Sequence, residues 1–183
     1  IFTDIYDDAQ WLTGLVENLL SVTKIADGSV KLRLSDQVVD DIVSEALRHI
    51  DRRSAEHHIT VDCGDVPLLV RVDAGLIMQV LINLVNNAVK YTPPGSNIRI
   101  TAIQQEKAAE ICVSDDGPGI DPERLEAIFT KGYSTKGENR GVGLFLARQQ
   151  IQNLGGDITV ESEPGVFTQF FVQIPWDSER NIA

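Results

Sequence analysis

Apolar residues recur along this chain with two periods, and the alternation between them predicts its elements. From Asp7 to Ala26, Leu12, Leu15, Val16, Leu19, Val22 and Ile25 fall at three- and four-residue steps, one face of an amphipathic helix that Asp27-Gly28 stops. A short strand over Val30–Leu34 follows, then a helix over Gln37–Ala55 with Val38, Ile42, Ala46, Leu47 and Ile50 inward. Strands are predicted over Ile59–Cys63 and Leu68–Val72, around turns at Gly64-Asp65 and Pro67. Asp73–Tyr91 carries the strongest helical pattern, with Leu76, Ile77, Val80, Leu81, Leu84, Val85 and Ala88 on its buried side, and Pro93-Pro94-Gly95 forbids its continuation. Two alternating strands, Ile98–Gln105 and Ala109–Ser114, precede a loop-rich stretch with one short helix, Pro122–Ile128. A helix over Val142–Leu154 and strands over Asp157–Glu161 and Gln169–Ile174 complete the pattern. Strands and helices mixed in this order predict an α+β sandwich, with helices on one face of a mixed sheet.

Composition narrows the class. The 183 residues are 43% apolar and 23% charged, enough to build a core. Lys and Arg number 16 against 27 Asp and Glu, a net charge of -11 that opposes nucleic-acid binding. The two cysteines, Cys63 and Cys112, stand in strand-like stretches without metal-ligand spacing and are expected to be buried thiols in a reducing compartment. No run of membrane-spanning length occurs, so the chain itself is expected to be soluble and cytoplasmic. It starts at Ile1, which suggests a piece of a longer protein, with room for a membrane anchor elsewhere.

Three groups of residues suggest chemistry. Asn83, Asn87 and Lys90 project from one face of the long helix, with Asn86 beside them. Asparagine is a poor helix former; carbonyl oxygens one turn apart can ligate Mg²⁺, and Lys90 can meet a phosphate. A solvated polar stripe is the plainer reading. Asp115-Asp116-Gly117-Pro118-Gly119-Ile120 follows a strand and can set a carboxylate deep in a pocket beside closely approaching backbone. An acidic turn is its plainer reading. Gly141-Val142-Gly143-Leu144 opens a helix after a loop carrying Lys131, Lys136 and Arg140, as a phosphate-binding helix start under a lid would. No GxxxxGK[ST] sequence occurs.

Taken in this order, the groups resemble the nucleotide-binding boxes of sensor histidine kinases. Asn83-x3-Asn87-Ala88-x-Lys90-Tyr91-Thr92 resembles the N box, Asp115-x-Gly117-x-Gly119 the first glycine box, and Gly141-x-Gly143-Leu144 the second, with Phe129 in the place of the F box. The resemblance implies the Bergerat fold and ATP with Mg²⁺. It places the metal on Asn83 and Asn87 and the adenine amine on Asp115, with Tyr91 near the adenine or ribose. The phosphates fall to Lys90 and Gly141–Gly143. Asn86, Gly117, Gly119, Ile120, Lys136, Arg140, Val142, Leu144 and Thr168 complete the implied nucleotide site. The opening helix, with Trp11-Leu12-x2-Leu15-Val16-Glu17-Asn18-Leu19-Leu20, resembles the second helix of a kinase dimerisation domain, most of all in potassium-responsive Kdp-type kinases. The lid Lys131-Gly132-Tyr133-Ser134-Thr135-Lys136 is more similar to citrate- and dicarboxylate-sensing kinases. The organisation implied is a remnant dimerisation helix over 1–28, a catalytic domain over 29–178 and a tail over 179–183.

Two positions depart from the pattern. Phe145 replaces a common Gly, and Phe167 stands where Gly is usual in a last glycine box, where it can crowd the nucleotide floor or alter its turn. The hydrolysing relatives place a carboxylate where this chain has Asn83, and an amide cannot accept a proton at neutral pH. Kinase chemistry is therefore expected over hydrolysis. None of His49, His57 and His58 sits in a phosphoacceptor context, so the acceptor is expected before Ile1 and the chain alone is expected not to autophosphorylate. The implied partners are the kinase's own phosphoacceptor domain, a response regulator and a second subunit through the N-terminal helix, the parent protein being anchored in a bacterial inner membrane. A degenerate module acting by protein–protein contact is the alternative, and an anti-sigma-type serine kinase is disfavoured by the opening helix.

Overall fold

The computed structural model describes residues 32–130 and 143–176. The chain divides into two units, Ile1–Leu32 and Arg33–Ala183. The helix expected over Asp7–Ala26, the lid and the tail lie outside the described residues.

Among the described residues of the second unit, seven strands and three α-helices follow one another. Strand β1 (Ser35–Val38) leads into α1 (Val39–Leu47), a 3-10 turn at Arg52–Glu56, β2 (His58–Asp62) and β3 (Leu69–Val72). Then come α2 (Ala74–Tyr91), β4 (Asn97–Gln104), β5 (Ala108–Asp115), 3-10 turns at Pro122–Arg124 and Ala127–Phe129, α3 (Gly143–Asn153), β6 (Asp157–Glu163) and β7 (Phe167–Pro175). The order β2-β4-β5-β7-β6 makes one mixed sheet, in which only β2 and β4 run parallel, and β1 pairs with β3 in a separate antiparallel ribbon.

The sheet is two-faced because its strands alternate. Ile98, Ile100 and Ala102 of β4, Ala109, Ile111 and Val113 of β5, and Phe170, Val172 and Ile174 of β7 are buried, while their neighbours are half-buried or exposed. The helices cover that apolar face: α2 packs between α1 and α3 and rests on β4 and β5. Asp73 caps α2, accepting from Gly75 N at 3.1 Å and Leu76 N at 3.3 Å. Val89 is buried on α2 and Leu76 only half-buried, a small rotation of the expected stripe.

Several boundaries differ from the sequence pattern. The first described strand is Ser35–Val38, because β3 pairs with that stretch residue for residue; of the stretch expected as strand, 32–34 is irregular and 30–31 lies outside the described residues. The helix expected to reach Ala55 stops at Leu47. In a continuous helix Asp51 N–H would donate to the Leu47 carbonyl. Here it donates to Asn86 Oδ1 at 2.8 Å, while the Asp51 carboxylate accepts from Arg53 N and starts the 3-10 turn. The short helix near Pro122 is two 3-10 turns, the first capped by Asp121. Both cysteines are half-buried rather than buried. Desolvation, then carboxylates (Asp40 near Cys63, Glu110 near Cys112), pushes each thiol up to about 11, so both stay protonated and inert at neutral pH.

Candidate functional site

The last inward-facing position of β5 is Asp115, which continues the buried series Ala109, Ile111, Val113. Its Cα partner across the sheet is Thr168 of β7, on the same face. Asp115 Oδ1 accepts from Gly117 N at 3.0 Å. Burial is the larger influence, and with Asp116 nearby it pushes the carboxyl up to about 6 despite the Gly117 bond. A Cβ on Gly117 would lie 2.5 Å from Thr92 Cγ2 and 2.7 Å from Asp115 Oδ1, so only glycine lets the backbone pack this closely against the carboxylate. Thr92, itself buried, donates its hydroxyl to the Ala88 carbonyl at 2.7 Å and ties the end of α2 to this corner.

The loop after Asp115 is clamped to the β6–β7 hairpin. Gly119 has φ of 70°, and a Cβ there would strike the Glu163 carbonyl oxygen. Gly165 N donates to the Pro118 carbonyl at 2.7 Å, and Ile120 N donates to Ser162 Oγ at 2.8 Å. Ser162 is a residue that no sequence pattern marked.

On α2, Asn83 and Asn87 share one face, both half-buried, one turn apart. Asn83 Nδ2 is buried and has no hydrogen-bond partner among the described residues. A Cβ on Gly143, the first residue of α3, would stand 3.9 Å from Asn83 Cγ and Oδ1. The N-terminus of α3, with its outward N–H groups, therefore opens directly beside the Asn83 amide. Leu144 is half-buried in the first turn of α3. Lys90 and the exposed Tyr91 end α2, with Lys90 Nζ 4.8 Å from the Tyr91 ring centroid. Asn86 points elsewhere, its carbonyl committed to Asp51 N. Lys136, Arg140, Gly141 and Val142 lie outside the described residues.

Phe167 is turned away from this cleft. Thr168 faces Asp115, and successive side chains of a strand take opposite faces, so Phe167 stands on the other side of the sheet. Phe129 is a buried anchor, edge-on to Phe170 at 6.2 Å, with the Arg148 guanidinium 4.8 Å from its ring and Arg148 paired to Asp157 at 2.9 Å. It was the one F-box position that the sequence pattern picked out.

The donor set fits a nucleotide with a hard cation better than a protein-caged metal. No group of three or more His, Cys, Asp or Glu suited to a metal occurs among the described residues. A cation here would rest on amide oxygens and ligand phosphate oxygens, as Mg²⁺ does. The buried Asn83 Nδ2, a donor without a hydrogen-bond partner among the described residues, is what a phosphate oxygen of such a ligand would meet.

Comparison with known proteins matches residues 72–178, more than half of the chain, to the family described as histidine kinase-, DNA gyrase B-, and HSP90-like ATPases. The chain belongs to this family. It is 53% identical over 107 residues to the sensor histidine kinase DcuS of Escherichia coli K12, covering 57% of this chain and 20% of DcuS. It is 34% identical over 181 residues to the sensor protein KdpD of Clostridium acetobutylicum, covering 96% of this chain and 20% of KdpD. The chain thus spans about a fifth of the length of these relatives. Among solved structures, the catalytic domain of histidine kinase ThkA matches with a TM-score of 0.73 at 27% identity, over 80% of this chain and 98% of that one. Full-length ShkA in complex with AMPPNP shares the fold, with a TM-score of 0.82 at 24% identity over 95% of this chain and 38% of its own. The ATP-binding catalytic fold of histidine kinases is therefore established for this chain. Among the described residues no helix is long and apolar enough to cross a membrane.

Proposed function

We propose that this domain binds Mg·ATP and presents its γ-phosphate to a histidine carried by another segment of the parent kinase, for relay to a response-regulator aspartate. The observation that carries this is Asn83 beside the start of α3 at Gly143, its buried Nδ2 a donor without a partner among the described residues. In this reading Asp115 accepts from the adenine amine, and Gly117 and Gly119 let backbone approach the base. Asn83 and Asn87 hold the cation, which when bound offsets charge on the phosphates. Lys90, Lys136, Arg140 and the Gly141–Gly143 N–H groups meet phosphate oxygens, and Tyr91 covers the base or ribose. The position from which a general base would activate water is an amide, Asn83, and this favours transfer over hydrolysis. With Phe167 facing away, the principal reason for a degenerate module is removed.

The same reading assigns 1–28 to a dimerisation helix, 29–178 to the catalytic domain and 179–183 to a tail, with the parent a membrane-anchored homodimer. It is tested by supplying γ-labelled ATP to the full-length parent. Label on histidine, stable to base and lost in acid, is expected for wild type and absent in Asn87→Ala. Label on serine, or none with wild type, would contradict it.

A further inference from the structure

Along α2, Gln79 stands one turn before Asn83, as Asn83 does before Asn87, so three amide side chains share one face. Across from them, α3 turns Leu146, Ala147, Gln150 and Ile151 inward. Gln150 is the odd member of that set. It is fully buried, and its Nε2 donates to Gln79 Oε1 at 3.1 Å. Its own Oε1 is buried with no partner among the described residues. Such an acceptor costs more than one amide–amide bond returns, so Gln150 works against stability where an apolar side chain would add to it. What the bond supplies instead is register. Gly143 lies beside Asn83 and Gln150 meets Gln79, so the two helices run antiparallel, and the bond falls about two turns along α3 from its first residue. Apolar burial is non-directional and tolerates a small slide of α3 along α2. A hydrogen bond does not, because it holds its two heavy atoms to about 2.7–3.2 Å.

We propose that Gln150 is a positioning residue for the phosphates: held by Gln79, it sets α3 so that the helix start at Gly143 stays beside the Asn83 amide. The inference rests on the reading of this cleft as the nucleotide site. Phosphate oxygens shared between Asn83 on α2 and N–H groups at the start of α3 need both helices in one register, because charge-assisted bonds are short and geometrically demanding. The base, which the same reading sets at Asp115 on β5, does not depend on that register.

The test is displacement of trinitrophenyl-ATP from the 183-residue chain by the β,γ-imido analogue of ATP with Mg²⁺, and separately by adenosine, beside thermal unfolding of each sample. In Gln150→Leu the affinity for the imido analogue is expected to fall about tenfold, as for a contact set moved by a fraction of an ångström. Adenosine, which has no phosphate, is expected to displace the probe equally from both chains. The variant is expected to melt at or above the wild-type temperature, since it removes the unpaired acceptor. A damaged fold lowers melting and both affinities together, so structural loss does not give this combination. Gln150→Met, unbranched and adaptable, is expected to repeat the result. Unchanged affinity for the imido analogue in a folded variant, or adenosine weakened in step with it, overturns the proposal and leaves the nucleotide site intact. Melting well below wild type in both variants overturns it too, because the pair would then serve stability. A wild-type chain that binds neither probe nor imido analogue overturns both readings.

Discussion

Phe167 and Thr168 are chain neighbours on opposite faces of the sheet: Thr168 pairs with Asp115 over the cleft, and Phe167 faces the other way. The substitution that the motif pattern makes conspicuous is thus spatially remote from the pocket floor. Phe167→Gly is expected to leave affinity for an ATP analogue within about twofold, while costing about 1 kcal/mol of stability through strand glycine entropy. Titration and thermal unfolding of the same sample separate the two effects. A tenfold rise in affinity would show that Phe167 does crowd the site.

Asp115 is expected to oppose folding while supporting binding. Its carboxyl titrates at about 6 in the native chain against an ordinary 3.8, so between these pH values the native state holds more protons than the unfolded one. Stability then falls as pH rises through this window, and the loss is complete above it. The full displacement corresponds to about 3 kcal/mol, and solvent screening of a half-buried carboxyl reduces it to about 1 kcal/mol. Asp115→Asn keeps an acceptor for Gly117 N and removes the charge. It is expected to melt about 2–4 °C above wild type above pH 6, the difference vanishing near pH 4. Its affinity for the ATP analogue is expected to fall on the order of 10–100-fold. Identical melting profiles across this pH range would refute the burial argument.

The two loop glycines are expected to fail differently. Gly119→Ala meets both a left-handed backbone (φ of 70°) and the Glu163 carbonyl, neither able to yield cheaply, and should cost about 2–4 kcal/mol of stability. Gly117→Ala presses instead on the side chains of Thr92 and Asp115, whose adjustment strains the Thr92–Ala88 and Gly117–Asp115 bonds but displaces no other backbone. It should weaken nucleotide binding with about 1 kcal/mol or less of stability lost. Denaturant melts beside titrations distinguish these outcomes, and equal stability losses would contradict the contrast.

Neighbouring asparagines on α2 should divide in the same way. Asn86 accepts from the part-buried Asp51 N, so Asn86→Ala is expected to lose about 1–3 kcal/mol of stability with affinity nearly unchanged. Asn87→Ala is expected to spare stability and abolish the Mg²⁺ dependence of binding. Interchanged phenotypes would place the cleft on the wrong face of α2.

Much of this was legible in the sequence, because period and burial agree where one face is covered. The alternation in β4 and β5, and the long stripe of α2 capped by Asp73, gave strands and helix to within a residue, and β7 to within two. Boundaries decided by distant partners were not. Nothing near Leu47 announces that Asn86 will capture Asp51 N–H and end α1, and β1 owes its position to β3. In the site, glycines beside an aspartate were recognisable by type. Ser162 escaped notice because its partner Ile120 N reaches it only when the loop meets the folded hairpin. The threat assigned to Phe167 arose from counting motif positions without strand parity, which Thr168 and Phe170 set once their burial is known.

The most direct test of the central claim is calorimetric titration of this chain with a non-hydrolysable ATP analogue, with and without Mg²⁺, beside Asn83→Ala. Saturable binding strengthened by Mg²⁺ in wild type, and insensitive to Mg²⁺ in the variant, is the expected result. A well-folded wild-type chain that shows no binding at millimolar analogue, or binding that Asn83→Ala leaves unaltered, would contradict the assignment of the cleft between α2 and α3 as the Mg·ATP site.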